Sequence, residues 1–178
     1  MMRIVFALFL MALFAAPALA APKAVVFDFE LIDTSLGGEM HGTRPEERVR
    51  LAKMAPELRD KLGASGRYEI VPLGAEEAEA KAVNLQSCGG CDVAMAKKLG
   101  ADLSITGTVQ KVSDILLNVN IYIRDVKTGE MTEAMTADVR NNTDDSWARG
   151  LSYLIRNRLL VAPEKPAPEK PAPEKNAQ

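Results

Sequence analysis

Aromatic side chains are scarce in this chain: one tryptophan, three tyrosines and five phenylalanines among 178 residues. That leaves little from which to build a stacking platform for nucleobases or sugar rings. Excess basic charge is missing too. The 22 lysines and arginines stand against 24 aspartates and glutamates, a net charge of −2. No concentrated basic face for nucleic acid or anionic lipid is expected. Histidine occurs once, as His41, and cysteine twice, as Cys88 and Cys91. A structural zinc site takes about four nitrogen or sulfur ligands, and the supply falls short. Haem attachment through C-x-x-C-H is excluded, because position 92 is aspartate. No catalytic motif stands out, and the chain reads as a non-enzyme without a cofactor.

Only one long apolar run is present, from Ile4 to Ala16, behind a single charge at Arg3. Pro17 breaks it, and Ala18-Leu19-Ala20 supplies the small-x-small pattern cut by signal peptidase. The expectation is a leader over residues 1–20, cleaved after Ala20, and a mature periplasmic protein with no membrane span. An uncleaved anchor would need roughly 20 apolar residues; Pro17, the alanine-rich end and the absence of a following basic cluster argue against it. No cysteine stands at the cleavage point, so lipoprotein processing is not expected. At the other end, Pro163-Glu164-Lys165-Pro166-Ala167 recurs from Pro168 and, imperfectly, from Pro173. Proline every two or three residues removes backbone donors and fixes φ, which predicts an extended, disordered tail over 162–178. Residues 21–161 are then one globular domain.

Within that domain Val25, Phe27, Phe29 and Leu31 alternate with Val26, Asp28 and Glu30, predicting one strand over residues 23–32. A glycine-rich loop over 34–43 follows. Pro45 suits the first turn of a helix, with Glu46 and Glu47 at its positive end. Leu51, Ala55, Leu58 and Leu62 share a face of that helix, and Pro56 is expected to kink or split it. A second strand is predicted over 67–73, then short helices over 75–83 and 92–99. Three alternating segments follow, around 103–109, 117–124 and 130–140, with Gly129 in a tight turn between the last two. Thr143 caps a final helix with Trp147, Leu151, Leu154 and Ile155 on one face. The order β-α-β-α-α-β-β-β-α predicts an α/β (α+β) sandwich with a mixed sheet of about five strands.

The run from Lys98 through Leu99-Gly100-Ala101-Asp102 to Gly107, followed by strands flanking Arg124-Asp125-Val126-Lys127-Thr128-Gly129, resembles the TolB N-terminal and curli-secretion CsgG-like envelope superfamily. The pieces Val26-Phe27-Asp28-Phe29-Glu30, Cys88-Gly89-Gly90-Cys91 and Asn142-Thr143-Asp144-Asp145-Ser146-Trp147 resemble, more closely, a domain-of-unknown-function family of small exported proteobacterial proteins. The resemblance spans about residues 23–160. It implies an accessory or adaptor domain that binds another periplasmic or envelope protein.

Local chemistry offers rival readings. Cys88 and Cys91 flank two glycines that let the backbone bend into a small ring, the setting of a structural disulfide in an oxidising compartment. Cys91 also precedes a helix, whose dipole favours a thiolate, so a thiol–disulfide redox protein is the alternative. Asp28, Glu30 and Asp33 are spaced to hold a hard cation, as in a small metal-binding chaperone, although the tight D-x-D-x-D-G loop is absent. The rival reading is the polar end of a strand. The expected partner contact is the sheet edge or the glycine-rich loop 34–43, with Gly37, Gly38 and His41 as its candidate residues. Trp147 is core if it follows the helix stripe and a binding hot spot if exposed. Gly107 inside a strand marks a close approach of other atoms.

Overall fold

The computed structural model describes residues 20–161. The expected leader, its last residue apart, and the expected tail lie outside the described residues. The framework is a pair of long hairpins built from the three alternating segments: β4 (Leu103–Ser113), β5 (Leu116–Asp125) and β6 (Met131–Arg140). Preceding them are β1 (Lys23–Val26), β2 (Glu30–Asp33) and β3 (Glu69–Ile70). The sheet runs β3-β1-β4-β5-β6, with β2 also paired to β4. β1, β2 and β3 pair in parallel, whereas β4, β5 and β6 pair antiparallel. The fold is therefore mixed α+β, with six strands among the described residues rather than about five.

The additional strand comes from a break in the first. Val26 lies opposite Ile105 and Glu30 opposite Thr108, so one more residue is spent on this strand than on β4. Such a bulge re-aims the side chains beyond it. Val25 and Phe27 enter one hydrophobic cluster, while Ala24, Val26, Phe29 and Leu31 enter the other. The single apolar face expected for Val25, Phe27, Phe29 and Leu31 is thus divided between the two sides of the sheet.

Gly107 makes room for this arrangement. A methyl group there would sit 2.3 Å from the Phe29 ring. Gly107→Ala is expected to destabilise the domain by about 1–3 kcal/mol through overpacking. Combining it with Phe29→Leu should return part of that loss in urea unfolding. Strict additivity in the double variant would refute the coupling.

One side of the sheet is covered by α2 (Pro45–Ala64) and α5 (Asp144–Leu154), which continues as a π-helical turn over Ile155–Leu159. Met54, Ala55, Leu58 and Leu62 of α2 pack with Trp147, Leu151 and Leu154 of α5 over the inward residues of β4, β5 and β6. The other side is covered over β1 by α3 (Glu77–Ala82) and α4 (Cys91–Lys98). Across β4, β5 and β6 that side carries a polar ladder, where Asn120 donates to Thr108 and accepts from Thr136.

Three local expectations change. The glycine-rich loop holds a short helix, α1 (Leu36–His41), whose N-cap Ser35 accepts from the Gly38 N–H; the glycines masked a capping signal. Pro56 does not split α2, which runs unbroken for 20 residues. Pro56 and Ala52, whose carbonyl it leaves unpaired, are both exposed, so water can satisfy that carbonyl. The strand expected over 67–73 shrinks to two residues because Pro72 can donate nothing to the ladder. Among the described residues no helix is long and apolar enough to cross a membrane.

Candidate functional site

Charged side chains collect at one end of the sheet. Lys111 follows Leu103, Ile105, Gly107 and Val109 on the inward face of β4, where the two-residue period asks for an apolar residue. Its side chain is only 3% exposed. The ammonium donates to Glu47 at 2.8 Å and to Asp33 at 3.1 Å. Glu47, in the first turn of α2, is fully buried. It also accepts from the Arg44 backbone N–H at 2.9 Å, the Arg44 guanidinium and the Asn142 amide at 2.6 Å. Asp33, at the end of β2, accepts from both the N–H and the hydroxyl of Ser35. Arg44 reaches on to Asp114 in the β4–β5 hairpin. Four separate segments are tied together through one ammonium and two carboxylates.

Burial pushes the Glu47 carboxyl up, but the bonds from Lys111, the Arg44 N–H, Asn142 and the Arg44 side chain outweigh it and hold the pKa at about 2. Burial likewise raises Asp33, and the Ser35 and Lys111 bonds bring it below its ordinary value. Burial lowers Lys111, yet Glu47 and Asp33 more than restore it, to above its ordinary value. These shifts fix each group in its charged form and move none towards neutrality, where a general acid or base works best. The arrangement can lock structure; it does not poise a proton. Because the folded Glu47 value lies below the unfolded one, its stabilisation is complete above about pH 4.5 and is lost as the pH falls towards 2. With allowance for solvent screening, the loss is expected to be about 2 kcal/mol. Urea unfolding at pH 7 and pH 3 measures it, and Glu47→Gln should flatten the dependence.

This cluster organises the loop expected to contact a partner. Thr34 donates its N–H to the Lys111 carbonyl before α1, and Arg44 is held by Asp114 after it, so both ends of α1 are fastened to the hairpin. Gly38 presses on the Asp33 carboxylate, leaving no space for a Cβ. Gly37 and His41 lie in the same helix, with His41 exposed. Leu36 and Met40, one helical turn apart, are 70% and 65% exposed. On the hairpin, Val112, Ile115 and Leu116 are exposed as well. Trp147, the other expected contact, is buried, and its indole N–H donates to Asn142 at 2.9 Å. It belongs to the core and to the support of Glu47, not to the surface.

The three expected cation ligands are not brought together. Asp28 pairs with Arg59, Glu30 accepts the Leu85 N–H, and Asp33 joins the Lys111 cluster. Each carboxylate is occupied by a protein partner, and among the described residues no group of three acidic, histidine or cysteine side chains converges. Cys88 and Cys91 are bonded to one another, with Cα atoms 5.7 Å apart. Gly89 and Gly90 between them have φ of 72° and 99°, which the tight ring requires and only glycine adopts easily. Asp92, next to this ring, is buried and accepts from the Ser104 hydroxyl at 2.7 Å. Sequence reasoning missed Lys111, Glu47 and Asn142. The signal for the first was its inward position in the β4 alternation.

Residues 22–159 match the model of DUF3280, described as a protein of unknown function (DUF2380). The chain belongs to the DUF3280 family. Several solved structures are similar to this DUF3280 domain. The C-terminal domain of LpoB from Escherichia coli aligns over 72% of this chain and 90% of that one, at 15% identity and a TM-score of 0.50. Lipoprotein GNA1162 from Neisseria meningitidis aligns over 78% of this chain and 96% of its own, at 14% identity and a TM-score of 0.50. TolB from Acinetobacter baumannii aligns over 76% of this chain and 28% of its own, at 14% identity and a TM-score of 0.43. At such identities the likeness to LpoB and GNA1162 is one of fold. No curated protein matches the sequence.

Proposed function

We propose that this DUF3280 protein is a non-catalytic accessory protein of the bacterial envelope, exported by its leader, that binds another envelope or periplasmic protein through α1 and the β4–β5 hairpin. The observation that carries this reading is the pair Leu36 and Met40. A six-residue helix presents two large apolar side chains to solvent while its flanks are tied to the sheet by Thr34, Arg44 and the Lys111 cluster. Ordering an exposed apolar turn before binding lowers the entropy cost of binding. Membership of a lipoprotein in the same fold, GNA1162, supports an envelope setting.

Photo-crosslinkers placed at Leu36 and Ile115, with Lys127 in the opposite β5–β6 turn as control, test the reading in cells. The reading requires one partner crosslinked from positions 36 and 115 but not 127. Purified with that partner, the Leu36→Asp, Met40→Asp double variant should bind about tenfold or more weakly with an unchanged melting temperature. Equal crosslinking from all three positions, or unchanged affinity, would overturn it.

In this setting the Cys88–Cys91 bond acts as a brace. Free-thiol titration of non-reduced periplasmic protein should find no thiol. The Cys88→Ser, Cys91→Ser variant should lose about 2 kcal/mol of stability, as expected for so short a loop, and keep partner binding. Insulin-reducing activity abolished by the same variant would favour the redox reading instead.

A further inference from the structure

We propose that β6 and α5 form a second docking surface, a groove in which an extended, proline-free segment of another protein joins the sheet as a new strand beside β6. The two edges of the sheet differ sharply. On one side the edge is made of β3, two residues long, and β2, four residues long, whereas β6 offers ten residues with no strand on its outer side among the described residues. Proteins usually protect such an edge by shortness, proline, a bulge or a covering element. β6 contains no proline, and its pairing with β5 is regular from Glu133 onward.

A groove of about 620 Å³ lies alongside, between Thr136–Arg140 and one face of α5. That face carries Ser146, Arg149, Gly150 and Tyr153 at helical spacing. At Gly150 a methyl group would stand 2.6 Å from Val139, so the glycine allows α5 close contact with the strand. Tyr153 remains 49% exposed and forms a wall that an incoming side chain can lie against. An unpaired edge backed by a helix is the geometry of strand addition, in which main-chain bonds give affinity and alternate pockets give specificity.

The pattern of β6 defines the occupant. Met135, Ala137 and Val139 turn towards α5 and the core, and Thr136, Asp138 and Arg140 face the other way. The added strand must therefore alternate, with apolar residues towards Gly150 and Tyr153 and charged ones on the opposite face. Asp138 calls for a basic residue across from it and Arg140 for an acidic one, two positions apart. A second copy of β6 paired about Asp138 would set Asp138 against Asp138; paired about Val139 it would set Asp138 against Arg140, and that dimer is the rival occupant the experiment must exclude. The chain's own 162–178 segment has proline at every second or third position through Pro173 and lacks the necessary donors. This surface is separate from Leu36 and Met40, so its test stands apart from theirs.

The probe is a synthetic ten-residue peptide that alternates valine with polar residues and carries lysine and glutamate two positions apart. Added to the full protein isolated from the periplasm, it should slow amide exchange of the outward N–H groups of β6 by about tenfold or more. Arg140→Glu should weaken binding about three- to fivefold, and exchanging the peptide's glutamate for lysine should restore it. Asp138→Lys with the peptide's lysine changed to glutamate provides a second, independent pair. A peptide with proline at alternate positions should not bind. The proposal falls if millimolar peptide leaves the β6 amides unprotected, if binding ignores both charge swaps, or if light scattering reveals a dimer whose β6 amides are already protected without peptide.

Discussion

Lys111→Met is expected to cost about 3 kcal/mol, near the lower end of the penalty for removing one partner from a buried ion pair. Methionine fills much the same volume, so the loss is electrostatic rather than a cavity. Glu47 remains buried with Arg44 and Asn142 but without its principal cation, and that residual support keeps the cost from reaching the upper end. Asp33 loses its bond from Lys111 and keeps those from Ser35. For a domain of this size the change should lower the melting temperature by roughly 6–12 °C. The pH dependence gives a sharper test. Without Lys111 one of the bonds that depress Glu47 is gone while burial still opposes those left from Arg44 and Asn142, so its pKa rises. The variant then sheds less stability in acid than the parent, and the difference between the two should shrink from pH 7 to pH 3. A constant difference across that range would mean that lost packing, not the stranded carboxylate, was the cause.

That Lys111 anchors a buried cluster at one end of the sheet while the sequence points elsewhere reflects what periodicity can and cannot report. The strands 103–109, 117–124 and 130–140 were legible because each alternates for three or more residues, which sets both register and burial. Val119, Ile121 and Ile123 are inside as expected. The α5 stripe was legible because Thr143 caps it and Trp147, Leu151 and Leu154 repeat at helical spacing. The first strand misled because alternation cannot reveal a bulge: Phe27 and Phe29 look equivalent in sequence but face opposite sides of the sheet. The acidic trio misled for a related reason. Asp28, Glu30 and Asp33 are close in sequence, and the bulge together with partners more than 30 residues away separates them. Long-range ion pairs such as Lys111–Glu47 leave no mark on local spacing. Their trace is negative: a charge standing where the pattern asks for a hydrophobe.

Trp147→Ala should unfold a large fraction of the protein, with an expected cost of about 3–5 kcal/mol for a buried aromatic removed from a well-packed core. Two effects combine. The indole is 2% exposed among Met54, Leu58 and the inward residues of β5 and β6, so its removal opens a cavity. Its N–H also fixes Asn142, whose amide in turn donates to Glu47. Trp147→Phe separates the two, keeping most of the bulk and removing the donor, and should cost about 1–2 kcal/mol. If the Asn142 link matters, the Phe variant combined with Lys111→Met should be non-additive, since both act on the same carboxylate. As the only tryptophan in the chain, Trp147 also reports on the parent protein: its emission should be that of a buried indole and shift to the red in a single transition with urea. A solvent-exposed emission maximum in the native state would return Trp147 to the surface and undo its assignment to the core. If it is inside, any loss of partner binding in Trp147→Ala should follow the unfolded fraction and vanish at a temperature low enough to keep the variant folded. Leu36→Asp would still impair binding there.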